Sequence, residues 1–125
     1  MGYEISLMNQ NFYIAKENIN DALCAINKTA EEFNEKYSYS LEIHSNIYEA
    51  FNFHSYHVAQ DNDGNIFDIN YESYKLRDEF EFLFKPIEKF VRDGSYIQML
   101  GEDGQMFRWV FSNGVCEEIY PKIVW

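Results

Sequence analysis

Residues 93–120 read DGSYIQMLGEDGQMFRWVFSNGVCEEIY, and they carry the strongest structural signal in the chain. Three runs of β-branched and aromatic residues are separated by Asp103-Gly104 and Asn113-Gly114. Both dipeptides readily take the positive φ angles of tight hairpin turns. The pattern therefore predicts a three-stranded antiparallel meander.

The turn sequences also predict which side chains of the meander face the interior. A two-residue turn at Asn113-Gly114 would place Phe111 opposite Cys116 on one face of the sheet. We expect the face that carries Phe107, Trp109 and Phe111, joined by Tyr96 and Leu100, to lie under the helices. The opposite face carries Ile97, Met99, Met106, Val110 and Ile119 around Arg108. Because that face is unusually apolar, either the terminal residues 122–125 cover it or it is a contact surface.

The rest of the chain predicts an α+β protein with a single domain over residues 1–125. Residues 2–15 resemble one bent strand or two short ones, and residues 16–37 have the apolar spacing of a helix. Ser45 is predicted to cap a short second helix. Residues 55–60 and 65–71 are predicted to form a hairpin, and residues 76–91 a helix that breaks at Pro86. The order βααββαβββ predicts one antiparallel sheet of about five to six strands, with two to three helices on one face.

Charge is the most informative bulk property of the chain. Ten Lys and Arg residues against 21 Asp and Glu residues give a formal net charge of -11, which opposes direct binding to nucleic acid or to anionic lipid. No Lys or Arg occurs between Tyr37 and Tyr74. We predict that a cationic protein surface is contacted by Asp61, Asp63, Asp68, Glu72, Asp78, Glu79 and Glu81. The alternative is an acidic surface that only keeps the protein soluble.

Motifs for catalysis, metals and cofactors give no match. Aligning Gly64 with the invariant glycine of a calcium loop puts Ala59 and Asn70 where acidic ligands belong. His54 and His57 lack the spacing that places two imidazoles on one helical face. We therefore predict no catalytic residue, metal site or cofactor. The absence of a leader or a long apolar run predicts a cytoplasmic protein without a membrane span.

Several strand and turn segments carry a resemblance to known proteins. They are Phe12-Tyr13-Ile14-Ala15-Lys16-Glu17-Asn18, Asp63-Gly64-Asn65-Ile66, Asp93-Gly94-Ser95-Tyr96-Ile97, Gly101-Glu102-Asp103-Gly104 and Arg108-Trp109-Val110-Phe111. In these segments the chain resembles small acidic proteins of unknown function from bacterial phages and mobile elements. The resemblance identifies no active site, but it implies an inhibitor of host defence, as the anti-CRISPR proteins are.

The leading expectation is a non-enzymatic inhibitor whose acidic surface blocks a cationic site on a nucleic-acid-binding defence protein. Carboxylates would substitute for phosphates, and an apolar patch would add affinity that salt does not screen. Two alternatives stay open. The protein could bind a small molecule, such as a signalling nucleotide, through aromatic faces, or it could be a cytoplasmic immunity protein that neutralises a toxin. The oligomeric state is not predicted.

Overall fold

The structure is a computed structural model that describes residues 4–72 and 78–122. Its helices are α1 (Lys16–Tyr37), α2 (Ile47–Phe53) and a π-helical turn (Phe80–Phe84). Its strands are β1 (Ile5–Asn11), β2 (Tyr56–Gln60), β3 (Ile66–Tyr71), β4 (Tyr96–Gly101), β5 (Met106–Ser112) and β6 (Val115–Ile119). The predicted α+β class is confirmed. None of the helices in the described ranges combines the length and the apolar character needed to cross a membrane.

The strands form two antiparallel sheets, so the prediction of one sheet is wrong. One sheet has the order β1-β4-β5-β6, and the other is the β2–β3 hairpin. The sheets approach each other where Ile14 and Ile66 exchange two backbone hydrogen bonds of 2.9 Å. Because α1 begins at Lys16, the chain turns away directly after this contact, and the hairpin is not extended into the larger sheet.

The β5–β6 hairpin has the predicted register. Asn113 and Gly114 have φ angles of 55° and 77°, which is the pair of positive values that a two-residue type I′ turn requires. Phe111 lies opposite Cys116, as expected. The turn is held from outside, because the backbone N–H of Asn113 donates to Oδ1 of Asp93 at 2.6 Å.

The β4–β5 pairing differs from the prediction by one residue. We expected Tyr96 and Leu100 to join the buried face of the meander, but Ile97 and Met99 do so, and Ile97 lies opposite Trp109. A shift of one residue moves every side chain of a strand to the other face. Tyr96 and Leu100 therefore lie on the outer face, while Trp109 is buried as predicted.

The loop between β4 and β5 explains this shift. The N–H of Gly101 donates to the carbonyl oxygen of Gln105 at 2.8 Å, so three residues separate this closing pair. Gly104, with a φ of 83°, takes the left-handed conformation typical of such three-residue loops. Asp103-Gly104 therefore forms a turn, as predicted, but its loop has three residues and not the two of the Asn113-Gly114 turn.

The helix predicted over residues 76–91 is shorter than expected. Its start at Leu76 lies outside the described residues, and the helical part that is described is a single π turn, closed when Lys85 N–H donates to the Phe80 carbonyl oxygen at 2.9 Å. Pro86 follows and has no N–H to continue the ladder, so the predicted break is confirmed. The chain continues in tight turns, in one of which Phe90 N–H donates to the Ile87 carbonyl oxygen at 2.8 Å.

The amino-terminal half follows the prediction with one correction. β1 pairs with β4 and has a register shift between Leu7 and Asn9, in agreement with the prediction of a bent strand. α1 has the predicted bounds. The cap of α2 is Asn46 and not Ser45, because the Asn46 side chain accepts the backbone N–H of Glu49 at 2.9 Å.

An aromatic cluster fills the space between the two sheets and the helices. Phe84, which is fully buried, lies at its centre. Its ring centroid is 5.0 Å from that of Trp109 on β5 and 5.2 Å from that of Tyr56 on β2. Phe12, Phe51 and Phe111 lie around the same ring at 6.3–6.5 Å. The π-helical turn therefore joins the two sheets through one side chain.

Two charged side chains cover part of the outer edge of β6. Lys85 Nζ donates to the Cys116 carbonyl oxygen at 3.0 Å, and Cys116 N–H donates to Glu88 Oε1 at 2.8 Å. Lys85 and Glu88 also form an ion pair at 3.0 Å. Cys116 itself is buried and Cys24 is exposed, and both are free thiols. Burial raises the pKa of Cys116 to about 12, so its thiol is not a reactive nucleophile.

Candidate functional site

Three of the seven predicted carboxylates hold the protein together. Asp61 Oδ1 accepts the backbone N–H groups of Asp63 and Asn65 at 3.0 and 2.9 Å, which fixes the β2–β3 turn. The Asn65 side-chain amide, followed by its backbone N–H, lowers the pKa of Asp61. Asp68 Oδ1 accepts Gln10 Nε2 at 2.6 Å and so links β3 to β1.

Glu79 is the third structural carboxylate, although we expected it at the surface. It is fully buried at the start of the π-helical turn, where Oε2 accepts the hydroxyl of Tyr56 at 3.1 Å. Burial, and next the charge of Glu79, raise the pKa of the Tyr56 hydroxyl well above its ordinary value. A buried carboxylate is tolerated only with such donors, so Glu79 belongs to the core and not to a contact surface.

The remaining four predicted carboxylates are exposed. Asp63 lies at the tip of the β2–β3 turn, and Asp78 and Glu81 lie at the start of the π-helical turn. Glu72 follows β3, and its Oε2 lies 3.0 Å from His57 Nε2, with both side chains exposed. His57 is therefore at the surface, whereas His54 is buried, so the two histidines do not act together.

The first of two concave sites is a cleft of about 180 Å³ between α1 and the chain that follows it. We call it the acidic cleft. Its apolar lining comes from Ile26, Ala30 and Leu41, its aromatic lining from Phe53 and Phe82, and its polar lining from Glu42, His44, His54 and Asp78. The cleft joins one predicted carboxylate, Asp78, to Glu42, which lies in the cation-free stretch between Tyr37 and Tyr74. No Lys or Arg is among these described lining residues.

Sequence reasoning missed the acidic cleft because its two carboxylates are far apart in the chain. The connection between α1 and α2 brings Glu42 to the cleft, and the π-helical turn brings Asp78. One signal in the sequence was available, namely Asn27 and Asn34, which lie seven residues apart on α1. Both side chains bind the backbone of this connection, since an asparagine amide can donate and accept at once.

The second concave site is a groove of about 320 Å³ on the outer face of the larger sheet. We call it the Arg108 groove. Tyr120, whose ring centroid is 6.2 Å from that of the buried Phe107, lines it beside Arg108. Arg108 Nε donates to Gln98 Oε1 at 2.7 Å, and its guanidinium lies 4.5 Å from the centroid of the Tyr96 ring. The expectation that residues 122–125 cover this face stays a prediction, because all of them except Lys122 lie outside the described residues.

Neither a search for metal-binding clusters nor comparison with known proteins adds a further site. Among the described residues, no three His, Cys, Asp or Glu side chains come together in an arrangement that could hold a metal ion. Comparison of the chain with protein families, with curated proteins and with solved structures finds no match. These comparisons therefore add nothing to the interpretation of function.

Proposed function

We propose that this protein is a non-enzymatic binding protein whose acidic surface blocks a cationic site on a partner protein. The observation that supports this proposal best is the distribution of charge in the fold. The described chain carries no Lys or Arg from Ser38 to Glu72, and this stretch forms the α1–α2 connection, α2 and the β2–β3 hairpin. Further exposed carboxylates, Asp78 and Glu81, come after residues 73–77, which include Lys75 and Arg77 and lie outside the described residues.

Asp63, Glu72, Asp78 and Glu81 are the side chains proposed to contact the partner. The other three predicted carboxylates stabilise the fold beneath this surface. Asp61 fixes the β2–β3 turn, Asp68 links β3 to β1, and Glu79 accepts the buried hydrogen bond from Tyr56. Exposed carboxylates on a rigid scaffold can substitute for the phosphates that a nucleic-acid-binding protein recognises, because both present anionic oxygens to Arg and Lys. Electrostatic attraction of this kind also speeds association.

The proposed partner is a nucleic-acid-binding component of host defence. The resemblance to acidic proteins of phages and mobile elements supports this part of the proposal, and a partner of that kind would place the protein in the cytoplasm. Exposed apolar side chains on the larger sheet, including Met106 and Ile119, offer contacts that salt does not screen.

Neutralising the four proposed contacts together tests this function. The variant is Asp63→Asn, Glu72→Gln, Asp78→Asn and Glu81→Gln, and the partner is captured from host lysate at low salt and identified by mass spectrometry. We expect the wild-type protein to capture a nucleic-acid-binding protein that duplex DNA displaces. The affinity of the purified partner for the variant should fall by at least about tenfold, or 1.4 kcal/mol.

The control variant removes the same number of negative charges elsewhere. Glu17, Asp21, Glu31 and Glu35 are exposed on α1, and their conversion to amides changes the net charge equally. At physiological salt this variant should bind the partner with an affinity within about threefold of the wild-type value, because exposed charges more than about 8 Å apart are largely screened from each other. Equal losses in both variants, or a captured protein that DNA does not displace, would contradict the proposal.

The Arg108 groove favours a second candidate function, which is binding of an anionic aromatic molecule such as a nucleotide. Its volume is at the lower limit for ligand pockets, which begin at about 300 Å³. Tyr120, which is exposed, offers a ring for stacking, and Arg108 offers a cation for a phosphate.

Adenosine monophosphate is a suitable probe for this second function. We expect calorimetric titration to show binding that Arg108→Gln weakens by at least about tenfold, since one charge-assisted contact contributes about 1.5–3 kcal/mol. Arg92→Gln is the matched control, because Arg92 also lies over a tyrosine ring, that of Tyr13 at 3.9 Å, outside the groove. No binding by the wild-type protein, or equal weakening by both substitutions, would exclude this function.

A further inference from the structure

The connection between α1 and α2 is fixed in place, although it has no helix or strand of its own. Asn34 Nδ2 donates to the Leu41 carbonyl oxygen at 2.9 Å, and its Oδ1 accepts Leu41 N–H at 2.6 Å. Asn27 binds both backbone groups of His44 in the same way, at 2.8 and 2.9 Å. Glu42 therefore lies between two backbone positions, Leu41 and His44, that are hydrogen-bonded to α1.

The opposite wall of the acidic cleft is held by the core. Phe82 packs its ring edge-on against Phe33 of α1, with centroids 5.1 Å apart. Asp78 comes just before this wall in the chain. Leu83 and Phe84, which follow Phe82, are fully buried. Because both walls are supported, the cleft exists before any ligand enters, and a ligand would not have to order it.

The cleft combines three properties that select a cation with an apolar stem. Its volume of about 180 Å³ is smaller than the pockets of drug-sized ligands but suits one side chain. Phe53 and Phe82 supply aromatic surface, and Glu42 and Asp78 supply carboxylates that are both exposed. A guanidinium group can stack on rings and bind carboxylates in a bidentate way, whereas an ammonium is more strongly hydrated and does neither as well.

From these observations we infer that the acidic cleft receives one arginine side chain of the protein partner. This inference rests on the proposed function and adds a single anchoring pocket to it. In interfaces, such a buried arginine typically contributes far more affinity than the charges around it. Glu42 and Asp78 bind the guanidinium, and Phe53 and Phe82 pack against its stem.

A short peptide with one arginine tests the inference without the partner. The probe is acetyl-Gly-Arg-Gly-amide, titrated into the full chain and followed through backbone amide resonances, with the lysine and the uncharged citrulline peptides beside it. We expect saturable binding in the millimolar range, with the largest shifts at Ala30, Glu42 and Phe82. The lysine and citrulline peptides should bind at least about fivefold more weakly, because they lack the charged, planar fork.

Two variants with equal charge then locate the site. Glu42→Gln with Asp78→Asn should weaken binding of the arginine peptide at least about tenfold, whereas Glu17→Gln with Asp21→Asn, two exposed residues of α1 outside the cleft lining, should change it less than about threefold. Both variants should keep the dispersed amide spectrum of the folded wild-type protein. Equal weakening by the two variants, shifts outside the cleft, or no saturation with any peptide would overturn the inference.

A nona-arginine peptide separates this inference from the proposed function. One outcome is that nona-arginine binds the wild-type protein in a salt-dependent manner while the single-arginine peptide causes no shifts in the cleft. In that case the inference of an arginine pocket fails, but the proposed function of the acidic surface still stands. If neither peptide binds, the proposed function fails as well.

Discussion

Replacing Phe84 with alanine is expected to lower the free energy of unfolding by about 3–5 kcal/mol, as for other buried phenylalanines. The ring is fully buried and contacts aromatic side chains from both sheets. Its removal leaves a cavity that Trp109 and Tyr56 cannot fill, because each is fixed in its own sheet. Urea unfolding followed by tryptophan fluorescence measures the loss.

The matched control is Phe67→Ala on β3, since that phenylalanine is 51% exposed. It should change the stability by no more than about 0.5 kcal/mol. If Phe84→Ala does not fold, Phe84→Leu should fold and should lose part of the same stability, because it restores some of the removed volume. A Phe84→Leu or Phe84→Ala protein as stable as the Phe67 variant would show that the cluster does not join the two sheets.

The stability of the protein is expected to fall steeply in alkaline solution, starting near pH 9. Burial raises the pKa of Cys116 from 9.0 to about 12, and burial with the charge of Glu79 raises the pKa of Tyr56 well above 10.0. Both groups are neutral when protonated, so the folded protein holds protons that the unfolded chain releases. The stability that these two groups contribute is complete below the pKa values they have in the unfolded chain. It is lost as the pH rises through the pKa values they have in the folded protein.

Each group is expected to remove about 1.4 kcal/mol of stability per pH unit in its own window. For Cys116 this window runs from 9.0 to about 12, and Tyr56 adds to the slope above 10.0. Urea unfolding at a series of pH values measures the slope. Cys116→Ala should remove the part of the slope between pH 9 and 10, whereas Cys24→Ala, which alters an exposed thiol, should leave it unchanged. Parallel slopes in all three proteins would contradict the explanation.

Local patterns were sufficient to predict those elements whose residues are neighbours in sequence. The spacing of apolar residues gave the bounds of α1, and Asn113-Gly114 gave the register of β5–β6, because a two-residue turn leaves a single pairing. The register of β4 could not be obtained in this way. Asp103-Gly104 is compatible with a two-residue or a three-residue loop, and only the hydrogen bond between Gly101 and Gln105 distinguishes them.

The candidate site depended on tertiary contacts that the sequence does not display. Glu79 lies between the exposed Asp78 and the half-buried Phe80, and no local pattern indicated that its carboxylate would meet Tyr56 in the core. Likewise, Glu42 and Asp78 line the same cleft only because the α1–α2 connection folds back along α1. The sequence therefore predicted the sign of the surface charge, but not which carboxylates are available to a partner.

The contacts of Lys85 and Glu88 with Cys116 bear on how this protein behaves at high concentration. An uncovered strand edge is a template on which another chain can add a strand, and charged side chains at the edge are a known protection against this. At Cys116 both backbone groups of β6 are already bound, so an added strand would first have to break a charged pair. Self-assembly through the larger sheet should therefore begin at its other edge, β1.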